Sequence, residues 1–418
     1  MTDGGYTAGR QFDEKQVEKF WRWFLSGHRV KRAPGSLWVY TTCSDNLPVW
    51  LTPGAGLSTI QHRISGNNIM ITDWKDFLLT AGAEFNDTGV VHYGNLPHEL
   101  SVAITGNVFA DLSHYGLISV HGDDAETFLQ GQLTNDIRNV DDQHSQFSGI
   151  CNPKGRLLAS FRVFHRGDSY YLCLPTDMIE AVISRLRMFV LRSSVTLEEA
   201  SDTFVHLGIS GSEAEQELRE FAGTLPDNTH EVTQDKDQAI IRVPGIHPGF
   251  EIFTTFENAK QLWNTLNVHS APIGSVAWQF LDIQAGIPVI SPETREAFVP
   301  QMANLQLIDG VSFTKGCYTG QEIVARMQYL GKLKRRMYLA RVDSESEPHA
   351  GNEVYAGDDE RQSVGKLVSA APHPDGGYSM LVVLQISSAE GKAKLRLGSA
   401  AGPVIELEHL PYPFASES

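Results

Sequence analysis

The sequence predicts an α+β fold with two similar antiparallel units and a smaller β-rich domain at the carboxy terminus. Strand and helix patterns alternate in two rounds between residues 73 and 331. Around Asn152-Pro153-Lys154-Gly155 a turn joins two strand-like runs, because proline presets the turn dihedral and glycine accepts a positive φ. After residue 332 the helical pattern ends and five short strand candidates follow. A duplicated unit with a terminal β-barrel or sandwich accounts for these three observations.

Residues 1–72 precede the alternating pattern and form a predicted amino-terminal extension of unknown role. Its first part has a helical pattern, in which Val17, Phe20, Trp21 and Phe24 recur at intervals of three and four. The run LWVYTTC has the character of a strand. Four of the seven tryptophans lie in this segment, which favours a small packed appendage.

The two α+β units occupy residues 73–331. In the first, the predicted helices are DWKDFLLTAGA with an Asp cap, DDAETFLQGQL and TDMIEAVISRLRMFVL. Its predicted strands include GLISVHG, YYLCL and the hairpin of SQFSGIC with RLLASFRVF. The second round begins at FVHLGISG and continues with the helices SEAEQELREFAG and ENAKQLWNTL and strands near AIIRV and GFEIFTT.

The segment 332–418 forms the predicted carboxy-terminal β-domain. Its five strand candidates are RRMYLARVD, SVGKLVSAAP, YSMLVVLQIS, AKLRLG and PVIELEHLP, each bounded by turn residues.

Composition and charge limit the classes of function. The chain has 34 Lys and Arg against 50 Asp and Glu, a net charge of −16, so direct nucleic-acid binding and attraction to anionic lipid are not expected. No apolar run reaches the roughly 20 residues of a membrane-spanning helix. The amino terminus is acidic early, at Asp3, Asp13 and Glu14, and has no signal-peptide pattern. We therefore expect a cytoplasmic protein without a membrane partner.

The four cysteines lie at positions 43, 151, 173 and 317. This spacing fits neither a disulfide framework nor a CxxC metal knuckle, and no metal site is predicted. Cys43, Cys151 and Cys173 lie in strand-like apolar runs, which places them in the predicted core.

The octapeptide KGCYTGQE, residues 315–322, contains the most unusual local chemistry. Thr319 and Glu322 match a capping box, which predicts a helix that begins at Thr319. Cys317 would then lie near the positive end of the helix dipole, two residues from Lys315, and both features favour its thiolate. The alternative is a small buried residue that packs beneath a turn. We adopt the hypothesis of a thiol with a lowered pKa, able to act as a nucleophile or soft ligand.

Seven basic residues follow one another closely between positions 315 and 341, against the single acid Glu322. This segment is either a site for an anionic ligand or a strand edge protected by charge, and the sequence leaves both open. The basic residues are Lys315, Arg326, Lys332, Lys334, Arg335, Arg336 and Arg341.

Three further residues are candidates for a ligand site. Trp278 lies at the edge of the apolar face of the helix GSVAWQFLDIQAG, where its ring either stacks on a flat heteroaromatic ligand or seals the core margin. Tyr115, in DLSHYGLISV, has the same two interpretations. Asp136, at the end of GQLTND, is a candidate carboxylate that could equally begin a turn.

KGCYTGQE, the upstream run FVPQMANLQLIDGVSF and WQFLDIQAGIPVI resemble the YgfZ family of folate-binding proteins. That family is related to the glycine-cleavage T-protein and to a mitochondrial iron–sulfur assembly factor. The resemblance extends from about residue 73 to the end of the chain. The runs DLSHYG, GDDAETFLQGQLTND and NPKGR are similar to the amino-terminal half of the wider superfamily.

The resemblance implies ferredoxin-like α+β units closed by a β-barrel, with tetrahydrofolate or another reduced folate in the central opening. It implies a role in assembling or repairing iron–sulfur clusters, with effects on tRNA modification and on replication initiation. The client proteins would include radical enzymes that thiolate tRNA. Cys317 would be the functional thiol with Lys315 beside it, Trp278 and Tyr115 would flank the folate, and Asp136 would occupy the place of the T-protein's catalytic carboxylate.

Two other functions compete with this prediction. A folate-dependent aminomethyltransferase of glycine cleavage is the nearest, although the T-protein has an Arg-Asp pair in the helix that reads AWQFLDIQAG here and lacks the Cys-containing octapeptide. The other is a cysteine hydrolase that pairs Cys317 with one of the fifteen histidines, but no local hydrolase signature surrounds Cys317.

Overall fold

A computed structural model of the chain describes residues 70–357 and 362–414, and the backbone of two short strands, β1 (Lys31–Arg32) and β2 (Val39–Tyr40). Residues 1–67 and 68–418 are separate compact units. Within residues 1–67, β1 pairs antiparallel with β2, which lies in the predicted strand LWVYTTC. The predicted helix around Val17–Phe24 and Cys43 lie outside the described residues.

The described part of residues 68–418 alternates helices with strands and ends in a series of strands. Its helices are α1 (Thr72–Thr80), α2 (Leu96–Thr105), α3 (Ala125–Gln130), α4 (Ile179–Val190), α5 (Ala214–Ala222), α6 (Phe256–Leu266), α7 (Ser275–Gln284), α8 (Gln321–Tyr329) and α9 (Ile386–Ala389). A short β-hairpin, β3 (Glu84–Phe85) with β4 (Val90–His92), follows α1. None of the helices in residues 70–357 and 362–414 has the length and apolarity that a bilayer crossing demands.

The first sheet has five antiparallel strands in the order β10-β6-β9-β8-β7. The predicted hairpin is confirmed as β7–β8, and its turn has Gly155 at φ +67° and Asn152 Oδ1 as acceptor for two backbone amides. The strands are β6 (Tyr115–His121), β7 (Gln146–Cys151), β8 (Leu157–Arg166), β9 (Ser169–Pro175) and β10 (Thr196–Glu199).

The second sheet has six strands in the order β12-β13-β14-β11-β5-β15, of which only the β15–β5 pair is parallel. It contains the predicted strands FVHLGISG, AIIRV and GFEIFTT. The strands are β5 (Val108–Asp111), β11 (Val205–Ser210), β12 (Val232–Gln234), β13 (Gln238–Val243), β14 (Gly249–Thr254) and β15 (Ala271–Ile273).

The carboxy-terminal strands close into a barrel in the order β16-β19-β18-β17-β20-β21. The β-barrel interpretation of the sequence is therefore confirmed, with one more strand than the five candidates. The added strand, EVYA, is short and adjoins Gly357, so it has little pattern of its own. The strands are β16 (Arg335–Val342), β17 (Glu353–Ala356), β18 (Gly365–Pro372), β19 (Tyr378–Gln385), β20 (Leu395–Leu397) and β21 (Val404–Glu408).

The first two helices differ from the sequence prediction, one in its cap and the other in being present. Helix α1 has Ile71 at its N-cap with no side-chain cap bond, and Asp73 lies in the first turn instead of capping it. Helix α2 was not predicted, although Asn95 caps it by accepting from the His98 amide and Pro97 lies in its first turn. The predicted domain limits at 72/73 and 331/332 stay predictions.

The two large sheets pack against each other through an apolar layer. Leu117 and Phe164 come from the first sheet and Ala239 and Phe253 from the second. The rings of Phe164 and Phe253 are stacked with centroids 4.4 Å apart. This layer positions β9 of one sheet opposite β14 of the other, where the polar residues of the site lie.

Helix α7 packs on the barrel and on the second sheet. Phe280 and Leu281 share a buried cluster with Leu339 and Leu381 of the barrel. On the sheet side the Trp278 ring lies against Gly208, so close that a Cβ at Gly208 would be 2.3 Å from a ring carbon. Glycine at this strand position therefore makes room for the indole.

We predict that Gly208→Ala lowers the free energy of unfolding by about 1–3 kcal/mol, because the added methyl group overpacks the indole. Urea denaturation would measure the change. Gly131→Ala is the control, since Gly131 has φ −82° and a Cβ there would meet no atom closer than 3.6 Å. Equal effects of the two substitutions would contradict the packing argument.

Candidate functional site

A cavity lies between the two sheets, α7 and the chain that follows it, with about 520 Å³ of atom-free space that is partly open to solvent. Its apolar lining includes Phe147, Pro288 and Leu305. Its polar lining comes from both sheets and from α7: Tyr115, Ser160, Arg162, Cys173, Glu251 and Asp282. A mostly apolar cavity with a few convergent polar groups is the usual form of a small-molecule site.

Tyr115 and Asp282 form one polar pair in the cavity. Tyr115 begins β6, Asp282 lies on α7, and the Tyr115 hydroxyl donates to Asp282 Oδ2 at 2.9 Å. Burial, with the nearby charge of Glu251, raises the pKa of Asp282 to about 7. Burial and the Asp282 charge raise the pKa of Tyr115 well above its usual value. Asp282 can therefore hold or release a proton near neutral pH inside the cavity.

Glu251 supplies the permanent negative charge of the site. Its Oε2 atom lies 3.4 Å from Arg162 Nε and 3.4 Å from His206 Nε2. Burial opposes ionisation of this carboxyl, but the charge of Arg162 and the contact with His206 outweigh burial and hold the pKa of Glu251 at about 2. The cavity therefore contains one fixed carboxylate and one carboxyl that titrates near pH 7.

Asp136 lies outside the cavity lining and is held by its own neighbours. Its carboxylate accepts from Arg138 Nε at 2.9 Å and from Gln130 Nε2 at 3.0 Å. It also caps the short 3₁₀ helix Ile137–Asn139 by accepting from the Arg138 amide. Hydrogen bonding to Arg138 lowers the pKa of Asp136 to about 2. The structure shows the turn-starting role, and the catalytic role predicted for Asp136 stays a prediction.

Lys315 lies next to Asp136, as expected if the two residues belong to one site. Its ammonium donates to the carbonyls of Leu133 at 2.7 Å and Asn135 at 2.8 Å, and only 5% of the residue is exposed. Burial lowers the pKa of Lys315 to about 8, partly offset by the charge of Asp136. The lysine therefore attaches the loop of residues 315–317, called the KGC loop, to the segment 133–136.

Asn135 continues this connection to the cavity wall. Its side-chain amide donates to the carbonyls of Phe147, at 3.0 Å, and Asp309, at 2.6 Å. Phe147 and Ile308, the neighbour of Asp309, line the cavity. The loop that carries Lys315 and Cys317 is thus joined to the cavity through hydrogen bonds of one asparagine.

Cys317 is exposed, and α8 begins later than the sequence predicts. The predicted start at Thr319 is wrong: the helix starts at Gln321, its N-cap is Gly320 at φ +83°, and no side chain caps it. A Cβ at Gly320 would lie 2.5 Å from the Asn152 carbonyl oxygen, so both the positive φ and the close approach of the hairpin turn at 152–155 require glycine here. The Thr319–Glu322 capping box is therefore absent, and the predicted nucleophilic role of Cys317 stays a prediction.

Trp278 does not lie among the cavity residues. It is 4% exposed and belongs to the same buried cluster as Phe280 and the barrel strands. Of its two interpretations the structure shows the packing one, and a ligand contact for Trp278 stays a prediction. Tyr115, the other aromatic candidate, does line the cavity.

Arg162, Glu251 and Asp282 are site residues that the sequence did not predict. Arg162 lies in the apolar strand LLASFRVF and Glu251 in GFEIFTT. A charged residue inside an otherwise apolar strand is the signal that could have identified both, because burying a charge requires a partner. The buried positions predicted for Cys151 and Cys173 are confirmed, but Cys173 also lines the cavity.

The basic segment that follows the octapeptide is largely on the surface. Arg326, Lys332 and Lys334 are exposed on α8 and just after it. Arg341, on β16, donates to the carbonyl of Gly376, in the turn between β18 and β19. Both interpretations of the segment, an anionic ligand site and a charged strand edge, stay open.

Two α+β units, a closed barrel and a polar cavity between the sheets define a T-protein-like class of protein. Residues 95–313 match the family model described as the GCVT N-terminal domain. The structure is similar to the glycine cleavage system aminomethyltransferase T from Bartonella henselae, with a TM-score of 0.66 and 18% identity over 80% of this chain and 96% of that one. This similarity confirms the predicted fold class.

Curated relatives place the chain within that class. It is 33% identical over 308 residues to the tRNA-modifying protein YgfZ of Serratia proteamaculans, a match that covers 73% of this chain and 92% of the relative. It is 32% identical, with the same coverage, to the tRNA-modifying protein YgfZ of Yersinia pseudotuberculosis. The chain belongs to the YgfZ family.

We predict that Asp282→Asn changes the pH dependence of stability. Because the folded pKa of Asp282 is raised to about 7, the folded state keeps a proton that the unfolded chain releases above its ordinary pKa near 4. The stability of the wild type therefore falls between pH 4 and pH 7 relative to the variant. The slope should approach, and not exceed, the maximum of about 1.4 kcal/mol per pH unit, because one proton separates the folded and unfolded states in this range.

Urea denaturation of both proteins between pH 4.5 and pH 7.5 would measure this difference. Asp123→Asn is the control, because Asp123 is exposed ahead of α3. Parallel stability curves for wild type and Asp282→Asn would contradict the assignment of a raised pKa.

Proposed function

We propose that this protein binds a reduced folate, such as tetrahydrofolate, in the central cavity and acts in iron–sulfur cluster assembly or repair. The observation that carries the proposal is the polar lining of the cavity, in which the fixed carboxylate of Glu251 and the titrating carboxyl of Asp282 stand with Arg162 and Tyr115 in an apolar wall. The names of the relatives, tRNA-modifying proteins, support a role in tRNA modification.

The donor and acceptor set of the cavity fits a pteridine. One edge of a reduced pteridine presents neighbouring N–H and amino donors, which an ionised carboxylate such as that of Glu251 accepts. The rings of Tyr115 and Phe147 supply flat apolar contact area.

In this proposal each residue of the site has a separate role. Glu251 orients the ligand, and Tyr115 holds Asp282 through the 2.9 Å hydrogen bond. Asp282 holds or releases a proton near neutral pH, and Lys315 anchors the loop that exposes Cys317. A reduced folate, when bound, supplies one-carbon chemistry at its ring nitrogens.

Cys317 is the thiol proposed to act on partner proteins. Its side chain is exposed, so a client iron–sulfur protein, including a radical enzyme that thiolates tRNA, can reach it in a cytoplasmic complex. The effects on tRNA thiolation and on replication initiation would then follow from cluster supply. Aminomethyl transfer is the alternative, and formation of methylene-tetrahydrofolate from an aminomethyl-lipoyl carrier by a Cys317→Ala variant would favour it.

The folate part of the proposal is tested by thermal stability. A ligand at 100 times its dissociation constant adds about 2.7 kcal/mol, so tetrahydrofolate should raise the melting temperature measurably. Tyr115→Phe and Asp282→Asn should reduce this shift, and Asp123→Asn should leave it unchanged. Absence of a shift with every reduced folate tried would refute folate binding.

The thiol part is tested separately in cells that lack the native protein. We expect Cys317→Ser to lower tRNA thiolation and the activity of cluster enzymes while the folate-dependent thermal shift is kept, because the exposed thiol does not line the cavity. Thr314→Ser, a conservative change at an exposed position of the same loop, is the control. Full function of Cys317→Ser would exclude the thiol from the activity.

A further inference from the structure

Three metal-ligating side chains meet between the two sheets, at one side of the cavity. Cys173 lies on β9, His206 on β11 and Glu251 on β14, and one ligand atom of each lies within 4.8 Å of the other two. In the described residues this is the one group of three or more cysteine, histidine and carboxylate side chains with that geometry. Cys173 and His206 are each 6% exposed.

Several buried nitrogen atoms around this group have no hydrogen-bond partner. They are both ring nitrogens of His206, both ring nitrogens of His114, and Arg162 Nε. The contacts of His206 and Arg162 with Glu251 are ion-pair distances of 3.4 Å and do not satisfy hydrogen-bond geometry. Buried polar atoms without partners are rare, and a group of them around one point favours a place where a further polar group can bind.

The chemistry of the three ligands selects one class of ion. A thiolate, an imidazole and a carboxylate bind Zn²⁺ and related divalent transition metals, whereas Ca²⁺ and Mg²⁺ require oxygen ligands. Zinc sites with three protein ligands keep a fourth position for water or substrate. Cys173 and Glu251 also line the cavity, so a molecule in the cavity can reach that position.

The surroundings hold the ligands in place. The His206 ring is stacked on Phe253 with centroids 4.1 Å apart and an interplanar angle of 17°. Arg162 faces Cys173 across the β8–β9 ladder and lies 3.4 Å from Glu251 Oε2, which leaves the other carboxylate oxygen for a metal. Zinc ligands lie about 2.0–2.3 Å from the ion and hence roughly 3–4 Å from one another, so small side-chain rotations suffice.

We propose that Cys173, His206 and Glu251 form a binding site for a divalent transition-metal ion of the Zn²⁺ class, with its fourth coordination position open to the cavity. The thiol of Cys173 loses its proton to solvent when the metal–sulfur bond forms, and no oxidation or reduction is involved. This site goes beyond the proposed function and does not depend on it, although Glu251 is common to both.

Cobalt is the probe, because Co²⁺ replaces Zn²⁺ in such sites and a thiolate–Co²⁺ bond gives a charge-transfer absorption band. Titration of the metal-free full-length protein with Co²⁺ should produce this band with an endpoint at one equivalent, and Zn²⁺ should abolish it. Cys173→Ser should remove the band, and His206→Gln should weaken Co²⁺ binding at least tenfold.

The other cysteines provide matched controls. Cys151→Ser removes a buried thiol outside the group and Cys317→Ser removes the exposed one, and both variants should keep the band. Circular dichroism would establish that each variant is folded. If Cys173→Ser does not fold, Cys173→Ala takes its place, because alanine leaves no buried hydroxyl without a partner.

The proposal is overturned if the wild type gives no band, if the band survives in folded Cys173 variants, or if it disappears in Cys317→Ser, which would assign the metal to the exposed loop. Folate binding measured in the presence of a chelator tests the proposed function alone. The two ideas can therefore fail independently.

Discussion

An ion pair between Arg162 and Glu251 connects the two large sheets. Arg162 belongs to β8 of the first sheet and is 3% exposed, and Glu251 belongs to β14 of the second. A guanidinium buried in this way requires an anionic partner, because the unpaired charge would be several kcal/mol less stable than in water. The apolar layer of Phe164 and Phe253 therefore ends at a position where the two sheets must present opposite charges.

This pair also determines the electrostatics of the cavity. Arg162 keeps Glu251 ionised, and the charge of Glu251 adds to burial in raising the pKa of Asp282. Two carboxyl groups of one cavity thus have separate protonation states near neutral pH, which is the arrangement that acid–base and ligand-orienting sites use. The same carboxylate is within reach of Cys173 and His206, so ligand binding and metal binding would share it.

The KGC loop is a second, more exposed part of the site. Lys315 is fixed by the carbonyls of Leu133 and Asn135, and Asn135 is bonded to Phe147 in the cavity wall. Cys317, two residues farther on, is exposed. The loop therefore combines a rigid attachment to the cavity with a thiol that faces solvent, a combination suited to a protein that binds a small molecule and acts on a larger partner.

The amino-acid sequence by itself determined the α+β class, the 152–155 hairpin and the β-rich carboxy terminus, because these depend on periodicity and turn chemistry within short segments. The family, and with it the choice of a barrel, came from the resemblance of KGCYTGQE and its neighbouring runs to known proteins. The sequence also singled out Tyr115, Lys315 and Cys317. The start of α8 at Gln321 was not predicted from the local capping pattern, and Gly320, its N-cap, lies against the turn at Asn152, a contact distant in the chain.

Only the tertiary structure decided which residues form the cavity. Arg162, Glu251 and Asp282 come from two sheets and a helix that are separated by up to 120 residues in the chain, and their pKa shifts arise from mutual burial and charge. Trp278 lies in the core because Gly208, on a distant strand, leaves space for its ring. Such contacts depend on how elements pack, and single-sequence patterns contain no distances between them.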